Sequence, residues 1–258
     1  MSKETRSFNV TLVTKEPFRI GALQNVMSGI DNPVTTIGGK VVIQGSSLKG
    51  ALRACLEEYL IDKYSNDPVM KPCIPSSYNT LSPDEKKLIE KGKYKEGGGC
   101  SYSPNPRKRS ESICPVCYLL GAQGLIGFVR IPYLKTDTIP EDMYAVRIDR
   151  ASGVVSEKTN RDFQIIADEI KFTGTLEVVV KDSVKMWELG KTRIIDEKLG
   201  IGANDAWLKN GEWDANRIIN DLIVERLKTV NLMGGFKSKG CGKVEIDVVK
   251  GVLCESLT

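Results

Sequence analysis

The chain has 258 residues, and its 37 Lys and Arg against 33 Asp and Glu give a formal charge of +4. Apolar residues make up 41% and charged residues 27%, as in globular proteins, which excludes a disordered or collagen-like chain. Histidine is absent, which excludes a Ser-His-Asp triad, a Cys-His nucleophile and any metal site built from imidazole.

The seven cysteines and the start of the chain indicate the compartment. Seven is an odd number, and MSKETRS leads directly into a strand-like pattern and not into a signal peptide. No apolar run approaches the roughly 18 residues of a membrane helix, so no membrane partner is expected. We therefore expect a reduced, cytoplasmic protein, in which clustered cysteines indicate a metal more often than disulfides.

The first part of the chain predicts two strands and a long helix. Apolar residues alternate over residues 7–13, which indicates a strand, and a second short strand covers residues 40–43. Gly45-Ser46-Ser47 then offers N-cap residues for a helix that continues to residue 64. The apolar stripe of this helix consists of Leu48, Leu52, Cys55, Leu56, Tyr59 and Leu60.

Residues 64–124 interrupt this pattern with Pro, Gly, Ser, Lys and four cysteines, which predicts an insertion with little core of its own. Within the insertion, Ser82, Pro83 and Glu85 predict a capping box and a short helix that ends near Gly92.

The rest of the chain predicts strands at 125–131, 144–148 and 169–180, with a polar, turn-rich region at 149–162. An amphipathic helix starts at Asp214, and a final strand covers 241–249. Without the insertion, the order is strand, helix, strands, helix, strand, which is the arrangement of ferredoxin-like RNA-recognition sheets. We therefore predict a single α+β domain over residues 1–258 with a ferredoxin-like (RRM-like) core.

Four cysteines have a spacing typical of a structural zinc site. Cys114 and Cys117 lie on one tight turn, where both thiolates can reach an ion at about 2.3 Å, and Cys73 and Cys100 complete a tetrahedron. Unrelated thiols or a redox CxxC are the alternatives, but no thioredoxin-like βαβ pattern surrounds this CxxC. The sequence therefore predicts a closed, structural Zn²⁺ site, with Cys55 as the alternative to Cys73.

Two segments combine cations with small residues and contain no acid. At the start of the long helix, Ser46 and Ser47 offer N–H groups and hydroxyls to a phosphate, while Lys49 and Arg53 add positive charge one turn apart. This pattern favours binding to a ribose–phosphate backbone of any sequence.

The second of these segments, residues 234–243, has four glycines and three lysines. Gly235 and Gly240 let the backbone approach a polyanion closely, and Lys237 and Lys239 neutralise it. The alternatives for such segments are a plain hairpin turn and solvated basic loops.

Three stretches in order carry a family resemblance: Ile30-Asp31-Asn32-Pro33-Val34 followed by VVIQGSSLKGALR, then AVRIDRASGVVSEKTNRDFQIIADEIKFTG, then GGFKSKGCGKVEI. They resemble the RAMP backbone subunits of type III CRISPR effector complexes, the Csm-three-like members of the Cas-seven family, over nearly the full chain. The resemblance implies that copies of the protein stack in a filament along a guide (CRISPR) RNA. It implies a complementary target RNA and other type III effector subunits as further partners. It also implies a protruding thumb β-hairpin within residues 130–172.

The resemblance implies a catalytic role for Asp31, although Asp-Asn-Pro alone is an ordinary turn sequence. Asp31 matches by position the loop aspartate that cuts target RNA at regular intervals with Mg²⁺ or Mn²⁺. The expected chemistry is attack of a 2′-hydroxyl on the adjacent phosphate, which leaves a cyclic phosphate and a 5′-hydroxyl. In the same reading, Arg147, Arg150 and Arg161 face RNA or a neighbouring subunit.

Three other functions fit parts of the pattern. A scaffold subunit would bind guide RNA without cutting it, and a guide-precursor-processing endoribonuclease of the same superfamily would often use histidine, which is absent here. An unrelated zinc-stabilised RNA-binding module would be a monomer. The number of copies, the partner subunits and the subtype do not follow from the sequence.

Overall fold

A computed structural model describes residues 3–22, 30–76, 78–96, 98–103, 105, 110–146, 148–155, 161–196, 201–202 and 205–251. In this part of the chain, no helix combines the length and the apolarity that crossing a membrane requires. The predicted arginine Arg147 lies outside the described residues.

The chain forms a mixed α/β structure. The strands are β1 (Lys3–Thr14), β2 (Thr36–Ile37), β3 (Lys40–Ile43), β4 (Val129–Arg130), β5 (Leu134–Lys135), β6 (Glu141–Ala145), β7 (Arg161–Ile165), β8 (Lys171–Asp182), β9 (Trp187–Glu188), β10 (Ile194–Asp196), β11 (Ile201–Gly202) and β12 (Val244–Lys250). The helices are α1 (Gly45–Lys63), α2 (Pro83–Glu90), α3 (Pro115–Leu120) and α4, which runs through Ala215–Arg217, a π-helical stretch Ile218–Val224 and Glu225–Lys228.

A large antiparallel sheet has the strand order β12-β1-β8-β5-β3-β2, and β4 and β9 also pair with β8. Strand β1 has its apolar residues at alternating positions, so that Phe8, Val10 and Leu12 enter the core on one face. Helix α1 contributes Leu48, Leu52, Leu56 and Leu60 to the same core. The mixed architecture with a large antiparallel sheet is confirmed, whereas the ferredoxin-like core and the protruding thumb stay predictions.

Several element boundaries differ from the sequence expectation. Helix α1 begins at Gly45, with Gln44 as its N-cap and no side-chain cap, so Ser46 and Ser47 lie in the first turn and not before it. The strand expected at 125–131 is limited to the two residues of β4, Val129–Arg130. The strand expected at 144–148 begins and ends three residues earlier, as β6, Glu141–Ala145. Apolar alternation fixes which face a strand presents, but it does not fix where backbone pairing starts and ends.

The capping box predicted for α2 is confirmed, since the Ser82 side chain accepts from the Glu85 N–H and Glu85 accepts from the Ser82 N–H. At the other end of the predicted insertion, all six residues of α3 are buried, and most of them join the main core. This end of the segment is therefore anchored on the body of the protein. A second, small cluster consists of Ile74, Leu81 and Ile89.

A buried ion pair fixes the segment after β9. Arg193 and Asp205 are both fully buried in their side chains, and Nη2 of Arg193 lies 3.0 Å from Oδ1 of Asp205. The guanidinium also lies 4.7 Å from the ring centre of Tyr118 in α3, and its Nη1 donates to the Ile126 carbonyl. This pair therefore connects the segment to α3.

We expect Arg193→Ala to lower the free energy of unfolding by about 3–5 kcal/mol, because it leaves the Asp205 carboxylate buried without a partner. Denaturant unfolding measures the change. The double variant Arg193→Met/Asp205→Leu is the control, because it removes both charges, and it should recover most of the loss. A double variant as unstable as Arg193→Ala would contradict this account.

Candidate functional site

The glycine-rich loop, residues 234–242, is held by the segment that follows β1. The N–H groups of Gly235 and Gly242 donate to the carbonyls of Arg19 and Pro17, at 2.8 and 2.9 Å. The Arg19 guanidinium lies 4.8 Å from the ring centre of Phe236, whose backbone is left-handed. This loop therefore has a defined shape.

The lysines of this loop are available to a ligand. Lys237 and Lys239 are exposed, and Nζ of Lys239 lies 4.7 Å from the Phe236 ring centre. Gly240 has a left-handed backbone and no neighbour within 4 Å of the place where a Cβ would stand. The tip of the loop is thus cationic and sterically open.

Helix α1 and the glycine-rich loop meet at one cavity of about 220 Å³. Ser47 and Gly50 of the helix line it, together with Gly234 and Lys237 of the loop. No acid lies in the first turn of α1, where N–H groups and the helix dipole favour an anion. Two segments far apart in sequence thus line one cavity, in which Lys237 is the one charged lining residue among those the structure describes.

Lys49 lines a different opening from the one between α1 and the glycine-rich loop. It is exposed and lines a groove of about 590 Å³, whose other wall carries Arg130 of β4. Arg130 was not singled out from the sequence, and in the structure its Nη1 pairs with the Glu177 carboxylate at 3.1 Å.

Asp31 lies in a loop that is fastened to strand β7. The Asn32 N–H donates to the Asp162 carbonyl, and the Gln164 N–H donates to the Asn32 carbonyl, both at 3.0 Å. The Asp31 side chain is exposed, and its Oδ2 accepts from the Asp162 N–H at 3.4 Å. The loop is therefore fixed against the strand.

Strand β7 connects the Asp31 loop to the glycine-rich loop. Phe163 of β7 forms a bridge with Asn32 and packs edge-on against Phe236, with ring centres 5.4 Å apart. All three stretches that carry the family resemblance thus meet around Phe163 and Phe236. These two aromatics were not singled out from the sequence, although Phe236 is the one aromatic residue in the glycine- and lysine-rich segment.

Arg150 and Arg161, two of the three arginines expected near RNA, lie on the hairpin whose strands β6 and β7 pair antiparallel. Arg161 is exposed at the start of β7, two residues from Phe163 and therefore on the same strand face. Arg150 is exposed in the turn, where the Asp149 carboxylate accepts from the N–H groups of Ala151 and Ser152. Arg161 is close to the Phe163–Phe236 contact, whereas Arg150 lies further along the hairpin.

We expect Gly234→Ala to lower the free energy of unfolding by about 1–3 kcal/mol. Gly234 has φ +82, and an added Cβ would lie 2.4 Å from the Arg19 carbonyl oxygen. Gly235→Ala is the matched control, because its Cβ would meet nothing closer than 3.6 Å, and it should change stability by about 0.5 kcal/mol or less. Equal effects in thermal or denaturant unfolding would contradict the defined loop shape.

The four predicted cysteine ligands come together in a second site. Sγ atoms of Cys73, Cys100, Cys114 and Cys117 all lie within 4.8 Å of one another, and all four residues are buried. In a tetrahedral zinc–thiolate site the sulfurs are roughly 3.8 Å apart, given Zn–S bonds of about 2.3 Å. The donor set and its spacing therefore fit Zn²⁺.

Backbone N–H groups point at the sulfurs. The N–H groups of Cys100, Cys114 and Cys117 donate to Sγ of Cys73, Cys100 and Cys114, at 3.4 to 3.5 Å. Hydrogen bonds from neighbouring thiols lower the pKa of Cys73 and lower that of Cys100 to about 7, whereas burial raises the pKa of Cys114. A hydrogen bond with Cys100 also raises the pKa of Cys117. Negative charge on sulfur is therefore favoured at Cys73 and Cys100 and disfavoured at Cys114 and Cys117. Cys55 lies in the cavity beside the glycine-rich loop and not in this cluster.

Arg53 lies beside the cysteines and is mostly buried. Its side chain is 17% exposed, and its Nη2 donates to the Cys73 carbonyl at 3.0 Å. Burial lowers the pKa of Arg53, but attraction to Cys117, Glu57 and Cys73 outweighs burial and leaves that pKa raised. The structure thus separates Arg53 from Ser46, Ser47 and Lys49, which are at the accessible start of the helix.

Comparison with known proteins adds three findings. The model of the RAMP superfamily matches residues 11–245. No curated protein matches the chain. Among solved structures, the chain is similar to a chain in the cryo-EM structure of the Type III-B Cmr-beta bound to cognate target RNA, at 12% sequence identity and a TM-score of 0.47. That match covers 96% of this chain and 61% of the other, so this chain spans about three fifths of the other's length.

Proposed function

Because the chain belongs to the RAMP superfamily, we propose that it is a guide-RNA-binding backbone subunit of a type III CRISPR effector complex in the cytoplasm. Its partners would be guide RNA, complementary target RNA, further copies of the chain in a filament and other effector subunits. The observation that carries the proposal is the cavity shared by Ser47 of α1 and Gly234 and Lys237 of the glycine-rich loop.

The proposed surface would hold the RNA backbone and leave its bases to pair. The first turn of α1 would bind one phosphate through the hydroxyls of Ser46 and Ser47, while the Ser47 N–H donates to the Gln44 carbonyl at 3.0 Å. The exposed Lys237 and Lys239 would neutralise neighbouring phosphates. Such contacts carry no sequence information, so base pairing between guide and target would supply the specificity.

Other predicted contacts extend this surface. Gly235 and Gly240 would let RNA approach the loop backbone, and Lys49 would bind a further phosphate. Arg150 and Arg161, on the hairpin of β6 and β7, would reach RNA or the next copy of the chain, as would Arg147, which is outside the described residues. The hairpin is proposed as the thumb.

We further propose that Asp31 makes this subunit a metal-dependent endoribonuclease. Asp31 would accept the proton of the attacking 2′-hydroxyl, or hold the divalent ion, as the 2′-oxygen bonds to phosphorus and the 5′-oxygen leaves. In the part of the chain the structure describes, the cysteines are the only group of three or more metal ligands. A Mg²⁺ or Mn²⁺ ion at Asp31 would therefore take phosphate oxygens as further ligands, as Mg²⁺ commonly does. Such an ion would stabilise the charge that develops on the phosphate.

A non-catalytic scaffold is the second candidate, and one contact favours it. The Asp31 carboxylate accepts from the Asp162 N–H, which is what a purely structural aspartate would do in this loop. The two candidates share the RNA surface and differ only in what Asp31 does.

Nucleic acid that copurifies with the protein tests the assignment. We expect short RNAs that carry a constant repeat-derived end after extraction and sequencing. RNAs without such an end would contradict the proposed complex. Specific cutting of a repeat-containing precursor by the purified protein would instead support the guide-processing alternative.

A further inference from the structure

Two cations contact the sulfurs of the cysteine cluster. Arg53 of α1 places Nη2 at 3.6 Å from Sγ of Cys73 and Nη1 at 3.9 Å from Sγ of Cys117. In addition, Nζ of Lys95 lies 3.5 Å from Sγ of Cys100 and also donates to the Ser112 carbonyl. Three of the four sulfurs therefore have a cationic neighbour.

The position of Arg53 needs an explanation, since a buried guanidinium is costly unless it is paired. Its Nε lies 2.7 Å from the Glu57 carboxylate, one turn along the helix, and that side chain is only 16% exposed. Glu57 thus holds the guanidinium with its other edge toward the sulfurs. Four thiolates around a dication keep two net negative charges and the Glu57 carboxylate adds a third, so Arg53 and Lys95 would offset two of the three.

Arg53 also connects the two ends of the cysteine-bearing segment to α1. Cys73 is near the start of that segment and Cys117 near its end, and Arg53 contacts both. One cavity is lined by Arg53 and a neighbouring one by Lys49, and both are also lined by Gly121 and Ala122. The cluster therefore borders the same helix whose first turn belongs to the proposed RNA surface.

We propose that Arg53 and Lys95 are the counter-cations of a metal–tetrathiolate centre, and that Arg53 makes the position of helix α1 depend on metal occupancy. Arg53 is then a positioning residue and not an RNA contact. The dependence of RNA binding on the metal rests on the proposed function, whereas the role toward the sulfurs does not.

The first test measures metal retention and needs no RNA. Zinc-loaded full-length protein is mixed with excess chelator, and zinc release is followed with a metal-sensitive dye. Arg53→Met and Lys95→Met should each speed release by about 10- to 100-fold, the usual effect of removing a partner of a metal ligand. Lys49→Met is the matched control, an exposed cation one turn earlier on the same helix, and it should release zinc at the wild-type rate.

Cobalt provides a spectroscopic readout that a general loss of stability would not produce. The thiolate-to-cobalt absorption band of the Co²⁺-loaded protein should shift in Arg53→Met and stay unchanged in Lys49→Met. If Arg53→Met fails to fold, Arg53→Lys serves instead. It keeps the positive charge but loses the guanidinium whose two Nη atoms contact two sulfurs, and it should still release zinc faster than the wild type. Wild-type release rates in the Arg53 variants would overturn the proposal.

The second test separates positioning from direct RNA contact. Binding of an unstructured single-stranded RNA is measured over a range of salt concentrations with excess zinc present. Arg53→Met should keep the wild-type slope of log binding constant against log salt concentration. Lys49→Met should make that slope shallower by about 0.7, the effect of losing one phosphate contact to single-stranded RNA. An equal loss in Arg53→Met would make it an RNA contact and overturn the proposal.

Stripping zinc from the wild-type protein should weaken RNA binding, and unchanged affinity would overturn the link between metal and helix. If the zinc-loaded wild type does not bind RNA at all, the proposed function fails, and the zinc-release result still decides the role of Arg53 and Lys95.

Discussion

Asp31→Ala is expected to lower the cleavage rate of a complementary RNA by the assembled complex by about 100-fold or more, while guide and target binding stay unchanged. The chain has no histidine, so another group must move the 2′-hydroxyl proton or hold the ion that activates it. Asp31 is exposed and fixed against β7 by the loop around it. Denaturing gels of end-labelled target RNA measure the rate, and filter binding measures affinity.

Asp31→Asn separates catalysis from loop structure. An amide oxygen can still accept from the Asp162 N–H, so the loop should keep its conformation while the negative charge is lost. Asp137→Asn is the control, because that carboxylate is exposed and pairs with Lys40. Wild-type cleavage by Asp31→Asn would support the scaffold function, in which Asp31 serves only as a hydrogen-bond acceptor.

The second large effect is expected from loss of a cysteine ligand. The purified protein should contain about one zinc per chain, and Cys114→Ser or Cys117→Ser should remove most of it, because a closed site needs all four thiolates. Metal binding can supply about 10–16 kcal/mol in small zinc-dependent elements. The segment that carries the cysteines should therefore lose its fold in these variants, and limited proteolysis should cut it first.

Two other cysteines serve as controls for this prediction. Cys55 and Cys241 are free and lie outside the cluster, so Cys55→Ser and Cys241→Ser should retain zinc and resist proteolysis like the wild type. Elemental analysis measures the zinc content. Zinc-free wild-type protein with an ordered cysteine segment would show that the cluster is stable as four thiols.

The cysteine cluster could be predicted from spacing alone, because metal coordination leaves few arrangements for two thiolates three residues apart and a distant pair. The capping box of α2 was equally predictable, since it depends on local hydrogen bonds between Ser82 and Glu85. Both features follow from short-range geometry that the sequence encodes directly.

The surroundings of Arg53 could not be predicted from the sequence. It is one turn after Lys49, so helical periodicity predicts a shared face, but the cysteine-bearing segment covers the helix at Arg53 and leaves Lys49 exposed. Arg19 belongs to no recognisable sequence motif. It nevertheless holds the glycine-rich loop, because its carbonyl accepts from the Gly235 N–H and its guanidinium lies over the Phe236 ring. Such roles come from long-range packing, which no local pattern encodes.

The salt dependence of RNA binding tests most directly whether α1 and the glycine-rich loop form one surface for the RNA backbone. Wild type and the double variant Lys237→Ala/Lys239→Ala are titrated with two single-stranded RNAs of unrelated sequence over a range of salt concentrations. We expect the wild type to bind both RNAs with equal affinity. In the double variant, the slope of log binding constant against log salt concentration should be shallower by about 1.4, because two phosphate contacts are lost. A strong preference for one RNA, or an unchanged slope in the double variant, would contradict the account.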